Sequence, residues 1–202
     1  MLKKAYSFEL IPLPSVVDFE TLVSDFDCDN EKLNVFLREE CPNYERERRL
    51  NTFLLIDKDS GKLAGFYSTS IGILTLETKD SNDMPEVEEH NYLNLAYFAV
   101  DYRYQRRGVG TSLIKEIFRA TQVVAYYAGV EMLFLESLDE SVDFYKSVGL
   151  QLIGVSPEEY QENNVDTSDM RFKMFIRVDD LYQKGYFPYE NNFIANDIEV
   201  NE

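Results

Sequence analysis

The feature that most constrains the fold is a glycine-containing turn between an apolar segment and a long amphipathic one. Residues 92–100 are almost continuously apolar, which predicts a strand buried on both faces. Gly108 and Gly110 follow, and from about Thr111 to Tyr127 apolar residues recur at helical spacing until Gly129. A buried strand that leads through a short turn into an amphipathic helix predicts an α/β domain.

The same turn has the chemistry of an anion site. Glycine at positions 108 and 110 lets the backbone approach a ligand closely and present consecutive N–H groups. The positive end of the helix dipole would add to them, and Arg106 and Arg107 could supply charge-assisted hydrogen bonds. The expected ligand is a pyrophosphate group. The segment matches neither the three-glycine dinucleotide fingerprint nor the lysine-ended phosphate loop.

The distribution of charge supports this interpretation. The chain has a formal net charge of −17, which repels nucleic acid and acidic membrane surfaces at long range. We therefore expect neither as a partner. The sign reverses locally between residues 100 and 122, where the bases outnumber Asp101 and Glu116. Those bases are Arg103, Arg106, Arg107, Lys115 and Arg119.

The rest of the chain is predicted to add strands and helices to the same domain. Residues 57–61 form a tight-turn sequence between two β-rich segments, which predicts a hairpin. The polar, acidic stretch 78–91 predicts a loop or an irregular insertion, with His90 at the surface. Pro42 is expected to limit the helix that begins after residues 27–30. Further strands are predicted at 51–56, 62–70, 131–137, 150–155 and 170–178, and a further helix at 139–148.

Length and composition place these elements in one domain of a cytoplasmic protein. Residues 1–180 are predicted to form the domain, and residues 181–202 an acidic, aromatic tail that could dock against a second copy in a homodimer. No apolar run approaches the roughly 18 residues that a membrane span needs. Cys28 and Cys41 suggest free thiols in a reducing compartment, and no Cys/His spacing resembles a metal site.

Two motifs resemble those of a known family. The run Gln105-Arg106-Arg107-Gly108-Val109-Gly110, after a strand ending in Val100, resembles the acetyl-CoA signature of the GNAT acetyltransferase superfamily, bacterial type. Downstream, Phe144-Tyr145-Lys146-Ser147-Val148-Gly149 resembles the helix motif of the same family. Residues 26–33 and 63–67 are similar to GNAT proteins more loosely. The resemblance implies the GNAT fold, an α/β domain whose central twisted sheet is mixed and mostly antiparallel, with helices on both faces.

The resemblance also implies how the co-substrate acetyl-CoA binds. The strand end at Phe98, Ala99 and Val100 would pair through its backbone with the pantetheine arm. The pyrophosphate would be wrapped by Gln105, Arg106, Arg107, Gly108, Val109, Gly110 and Thr111. No metal is implied.

Tyr145 is implied to be the general acid that protonates the leaving thiolate, although a tyrosine on an amphipathic helix can also simply pack. Where many members have an asparagine that bonds the pantetheine, this chain has Leu138, and Ser137 or Asp139 could substitute. The acceptor amine must lose a proton, so a general base is expected. Glu136 is the first candidate; the others are Tyr97, Tyr67 and Ser68.

Three functions remain open at this stage. The first is acetyl transfer to an amine by direct attack in a ternary complex, with a cationic acceptor favoured by the acidity of the chain. The second is a GNAT toxin that acetylates aminoacyl-tRNA, which residues 64–68 resemble and the charge of −17 disfavours. The third is a non-catalytic CoA-binding regulatory module, which the leucine at position 138 allows and Tyr145 argues against.

Overall fold

The computed structural model describes residues 6–79, 84–187 and 198–200. Within these ranges the chain alternates strands and helices. The strands are β1 (Tyr6–Pro12), β2 (Asn51–Asp57), β3 (Leu63–Lys79), β4 (Pro85–Val100), β5 (Met132–Ser137), β6 (Gln151–Leu152), β7 (Phe172–Arg177) and β8 (Ile198–Val200). The helices are α1 (Phe19–Val23), α2 (Glu31–Val35), α3 (Cys41–Arg46), α4 (Val109–Ala128), α5 (Asp139–Val148), α6 (Pro157–Glu162) and α7 (Val178–Gln183).

The described chain forms two compact units. The first contains residues 6–70, 95–120 and 198–200, and the second contains 71–79, 84–94 and 121–187. Strands β3 and β4 contribute to both. No helix within the described ranges is long and apolar enough to cross a membrane.

In the first unit the strand order is β8-β1-β2-β3-β4. The pairs β1–β2 and β2–β3 are antiparallel, with Leu10 opposite Leu55 and Leu54 opposite Phe66. The predicted hairpin at residues 57–61 is confirmed, with Gly61 in the left-handed region at φ +69°. Strand β1 was not predicted from the sequence.

The core of the first unit lies between β2–β4 and the N-terminal helices. Its side chains are almost entirely excluded from water, and burying each of the larger ones contributes about 1.5–3 kcal/mol. They include Leu13, Val23, Phe26, Phe36, Leu37, Leu50, Leu54, Leu63 and Phe66.

The prediction for Pro42 was wrong. The helix that begins after its N-cap Asn30 continues through a π-helical turn, Phe36–Glu40, into α3. Pro42 lies in the first turn of α3. Proline is tolerated there because it has no N–H to leave unpaired and its fixed φ suits a helix start.

Helix α4 follows its prediction closely. Leu113, Ile114 and Ile117 are fully buried, and Gly129 at φ +66° follows the last turn. The apolar stripe therefore decides which face of the helix turns inward.

In the second unit the order is β3-β4-β5-β7-β6. Strand β4 is parallel to β5, with Leu93 opposite Leu133, and β7 is antiparallel to both β5 and β6. The sheet is therefore mixed and mostly antiparallel, as expected, and its α/β class is confirmed.

The loop or irregular insertion predicted over 78–91 is wrong at residues 78–79, which belong to β3, and at residues 85–91, which belong to β4. Residues 86–89 are all exposed, so the strand carries acid without burying it, and its composition resembles that of a loop. His90 is not an isolated surface residue: its Nδ1 lies 2.8 Å from Glu131 Oε2, and its side chain is 21% exposed.

Helix α5 has the bounds predicted from the sequence, and Gly149 caps it at φ +105°. The strands predicted at 150–155 and 170–178 are shorter, as β6 and β7. The predicted boundary at residue 180 falls inside α7, and β8 pairs with β1. The tail residues 188–197 and 201–202 lie outside the described chain.

Candidate active site

The glycine turn lies wholly in the first unit. After β4 ends at Val100, a 3-10 turn (Tyr102–Tyr104) leads to α4. Arg106 and Gly108 both have left-handed backbones, at φ +59° and +79°. The Ser112 N–H donates to Gly108 O over 2.9 Å, so Gly108 provides the first helical acceptor. The N–H groups of residues 109–111, in the first turn of α4, have no acceptor inside the helix and can bind a ligand.

The predicted pyrophosphate residues differ in exposure. Arg106 and Arg107 are exposed, as is Gly108, whereas Val109 is fully buried and packs into the core. Gly110 and Thr111 are half-buried in the first turn of α4. The exposed arginines, the glycine backbone and the helix start therefore form one surface that an anion can reach from water.

Arg103 is used differently from the other two arginines. Its Nε lies 2.7 Å from Asp101 Oδ1, and its Nη1 lies 2.9 Å from Asp25 Oδ2. Lys62 Nζ also reaches Asp25 Oδ2, at 2.7 Å. Hydrogen bonds from Arg103 and Lys62 hold the pKa of Asp25 at about 2, well below its usual value. Two carboxylates thus balance the charge of Arg103, and less of the basic island is available to a ligand than the sequence suggests.

Gln105 is also directed toward the protein. Its Nε2 donates to Val100 O over 3.0 Å and to Cys28 O over 3.2 Å. The side chain therefore fixes the turn, and only its backbone is placed to contribute to an anion site.

The end of β4 lies close to β3. A Cβ added at Gly65 would come within 2.8 Å of Ala99 O, so only glycine fits between the two strands there. Ala99 is 5% exposed, while Phe98 and Val100 are half-buried. The Asp101 N–H donates to Ala64 O over 2.9 Å. The predicted pantetheine strand is thus held firmly at the point where the turn begins.

Tyr145 lies on α5 in the second unit. It is 8% exposed, and its ring packs edge-on against Phe144 with the centroids 5.1 Å apart. Burial raises the pKa of its phenol far above the ordinary value near 10. The hydroxyl therefore keeps its proton at neutral pH, which a general acid requires.

A model of the acetyltransferase (GNAT) family matches residues 19–150. This range includes the turn and Tyr145, and it covers well over half of the chain. The chain belongs to the GNAT family. The family establishes an N-acetyltransferase that uses acetyl-CoA. No curated protein sequence matches the chain.

Solved structures with the same fold include bacterial toxins. A tyrosine-to-phenylalanine mutant of the AtaT toxin has a TM-score of 0.69 and 19% identity, covering 88% of this chain and 93% of that one. AtaT complexed with acetyl-methionyl-tRNAfMet has a TM-score of 0.67 and 20% identity, covering 88% and 98%. A KacTA–DNA complex has a TM-score of 0.64 and 21% identity, covering 88% and 97%.

These neighbours share the GNAT fold with this chain. Two of them are complexes with nucleic acid, so the expectation that nucleic acid is not a partner, based on net charge alone, has no support from them.

Around the GNAT helix motif, the two proposed substitutes for the missing asparagine are both engaged. Ser137 Oγ donates to Leu138 O over 2.8 Å. Asp139 Oδ2 accepts from Gln161 Nε2 over 3.0 Å and from Thr167 Oγ1. Leu138 itself lines a pocket with Asp139, Glu140 and Ser168.

The candidate general bases of this GNAT domain differ in how far they are buried. Ser68 is fully buried and its Oγ lies 2.8 Å from Thr52 Oγ1. Tyr67 is 2% exposed, and burial, with a smaller contribution from Glu116, raises the pKa of its phenol. Tyr97 is half-buried. Glu136 is exposed on β5, opposite Lys173 of β7.

The sequence did not reveal several residues around Tyr97. Its ring stacks on Phe36 at 3.4 Å between centroids, and Phe36 also contacts Tyr44. Burial raises the pKa of Tyr97, and so do the nearby Tyr44 and Glu40. These contacts depend on the π-helical turn and α3, whose course the sequence did not predict. Asp101, by contrast, could have been singled out from the sequence, because it is an acidic residue immediately before the segment in which basic residues predominate.

Proposed function

We propose that the turn from Gln105 to Thr111 binds the pyrophosphate of acetyl-CoA and that the acetyl group passes directly to an amine in a ternary complex. The observation that carries the proposal is the pair of left-handed residues, Arg106 and Gly108, immediately before a helix of 20 residues. They leave backbone N–H groups and two exposed arginines at a helix start, which suits a doubly charged pyrophosphate.

The strand end continues this donor site. Phe98, Ala99 and Val100 pair with the pantetheine arm through their backbone. The Val100 carbonyl already accepts from Gln105 Nε2, so the amide and carbonyl groups of the two preceding residues make the larger contribution. The Leu138 position contributes no hydrogen bond to the pantetheine.

Tyr145 acts as the general acid. As the amine nitrogen bonds to the acetyl carbon and the carbon–sulfur bond breaks, the Tyr145 hydroxyl gives its proton to the leaving sulfur. A tyrosine phenol is protonated at neutral pH, and burial raises the pKa of Tyr145 further, so the proton is still present when charge develops on the sulfur.

Glu136 takes the proton of the attacking amine, directly or through water. It is the exposed carboxylate among the candidates, and Tyr67 and Ser68 are too buried to meet an acceptor. Glu136→Gln is expected to lower the transfer rate about 10²-fold or more, the usual contribution of a general base. Lys173→Gln removes the residue opposite Glu136 and serves as the control. Equal rates for Glu136→Gln and the wild type would reject the assignment.

The acceptor is an amine that carries positive charge in solution. Burial raises the pKa of the half-buried Tyr97, and Glu40 lies near enough for its carboxylate to raise that pKa further; an aromatic face with a carboxylate nearby attracts cations. A cytoplasmic location and association into a homodimer remain part of the proposal.

Transfer to aminoacyl-tRNA is the second candidate function. The structural neighbours that are toxins favour it, and so does a group of exposed bases at the end of α3, namely Arg46, Arg48 and Arg49. Arg49 is already shared between Glu47, at 3.6 Å, and the ring of Tyr44. The net charge of −17 opposes a long RNA contact.

One experiment separates the two functions and tests the proposal as a whole. Acetyl transfer from labelled acetyl-CoA is measured on a panel of polyamines, peptides and charged tRNAs, with binding followed over a range of salt concentrations. Transfer to free amines supports the first function, and salt-sensitive transfer only to charged tRNA supports the second. CoA binding without transfer to any acceptor would favour the regulatory module.

A further inference from the structure

Asp101 occupies the junction between β4 and the turn, and its side chain is fully buried. Its Oδ1 accepts from the Arg103 N–H over 2.9 Å and from Arg103 Nε over 2.7 Å. Its Oδ2 accepts from Arg103 Nη2 over 2.7 Å and from the Asp27 N–H over 3.1 Å. A buried carboxylate with four donors is fully satisfied, so the geometry is fixed.

The segment 25–28, which we call the strap, runs along this junction. Arg103 Nη1 and Nη2 bind the carboxylate and the carbonyl of Asp25, at 2.9 and 3.2 Å. The Tyr102 N–H donates to Asp27 O over 2.8 Å. Gln105 donates to Cys28 O. Tyr102, Arg103 and Gln105, which lie between the end of β4 and the glycines, are therefore all bonded to the strap.

The strap is bonded equally well to helix α2. Asn34 is 3% exposed; its Nδ2 donates to Asp27 Oδ1 over 2.8 Å. Its Oδ1 accepts from the Cys28 N–H over 3.0 Å. The strap thus connects the turn to the first of the N-terminal helices.

We propose that Arg103 is a positioning residue, which fixes the turn for CoA by joining Asp101 to the strap and does not bind the pyrophosphate. This inference rests on the proposed function of the turn. The strap residue Asp25 has no role in holding an anion, since a carboxylate repels one. It nevertheless supports CoA binding, because it holds Arg103 and thereby the turn.

The two possible roles of Arg103 predict opposite effects of neutralising Asp25. If Arg103 reached the pyrophosphate, loss of the competing carboxylate would strengthen CoA binding. If Arg103 positions the turn, the same change loosens the turn and weakens CoA binding. Asp25 is exposed, so its replacement leaves the core intact.

The test is the Kd for CoA of purified Asp25→Asn, measured by calorimetry at about 0.3 M salt, which shortens the screening length to roughly 6 Å. We expect binding weaker by about threefold to tenfold, which lies within the range of coupling between residues in one network. Asp29→Asn is the matched control: it removes one exposed acid beside the strap, and asparagine tolerates its left-handed φ of +61°. Its Kd should stay within twofold of the wild type.

A second variant tests the same network from its other partner. Arg103→Lys keeps the positive charge but removes the planar guanidinium group that bonds Asp101 and Asp25 together, so it should weaken CoA binding as Asp25→Asn does. The double variant should bind CoA no more weakly than the single variant that binds it more weakly. Tighter or unchanged binding in Asp25→Asn, or fully additive losses, would overturn the positioning role. Absence of CoA binding by the wild type would instead refute the proposed function.

Discussion

The glycine turn of the first unit and helix α5 of the second both carry sequence motifs, but the turn exposes charged side chains whereas α5 buries a neutral one. At the turn, Arg106, Arg107 and Gly108 are exposed, and the charged network of Arg103 holds the backbone in place. On α5, Tyr145 is buried, its ring packs against Phe144, and desolvation raises the pKa of its phenol.

The difference follows from what each group would bind. A pyrophosphate arrives charged and needs donors that it can reach from water, together with a backbone already held in the binding shape. A leaving thiolate needs a proton at the moment when charge develops, and a buried phenol keeps that proton because ionisation without water is costly. The first site therefore depends on hydrogen-bond geometry and the second on burial.

The largest effect is expected at α5. Tyr145→Phe removes the proton donor and should lower the transfer rate about 10²–10³-fold while leaving the Kd for CoA unchanged. Single-turnover acetyl transfer and calorimetry measure the two quantities. Tyr182→Phe, at an exposed position on α7, is the control and should match the wild type. An unchanged rate in Tyr145→Phe would leave Tyr145 with only a packing role.

The next effect concerns the backbone of the turn. Gly108→Ala must hold alanine at φ +79°, which costs about 1–2 kcal/mol. The turn would distort to relieve part of this strain. If the turn binds CoA, the distorted backbone fits CoA less well, and the Kd for CoA should rise about tenfold. Gly61→Ala places the same residue at φ +69° in the β2–β3 hairpin, with no atom within 4 Å of the added Cβ. It should lose similar stability and bind CoA normally; equal losses of affinity would show that the strain acts through folding.

A smaller effect is expected from the exposed arginines. Arg106→Gln and Arg107→Gln should each weaken CoA binding about threefold to fivefold at low salt, since an exposed ion pair contributes at most about 1 kcal/mol. The difference should shrink as salt is added. Isothermal titration at two salt concentrations measures it, with Arg171→Gln in the second unit as the control. Salt-independent losses would contradict an electrostatic role.

The smallest effect is on the pH profile. Because burial raises the pKa of Tyr145, its phenol stays protonated between about pH 7 and pH 9. The transfer rate should therefore show no alkaline decrease from this group in that range. The raised pKa also contributes stability below the unfolded value near 10, and this contribution is lost as the pH rises above it. A decrease near pH 8 that disappears in Tyr145→Phe would contradict the burial argument.

The sequence predicted the elements whose signal is local. Helix α5, helix α4 and the hairpin at 57–61 appear nearly as expected, because a glycine with positive φ ends each helix and shapes the turn. The strand β4 was only half recognised, because residues 86–89 are exposed and acidic and do not alternate as a buried strand does. Helix α3 was missed because Pro42 was interpreted as a stop, whereas in a first turn it is compatible with a helix.

By itself, the sequence identified the family and predicted the turn that would bind the donor and the tyrosine that would protonate its leaving group, because each depends on residues close together in the chain. It also supplied the charges of the basic island, without showing which of them were already paired. Only the tertiary structure decided that, since Arg103 meets Asp25 across 78 positions of sequence. It likewise decided that Tyr145 is buried. Charge pairing and desolvation both depend on what the folded chain places nearby, and for Arg103 that neighbour, Asp25, comes from a distant segment.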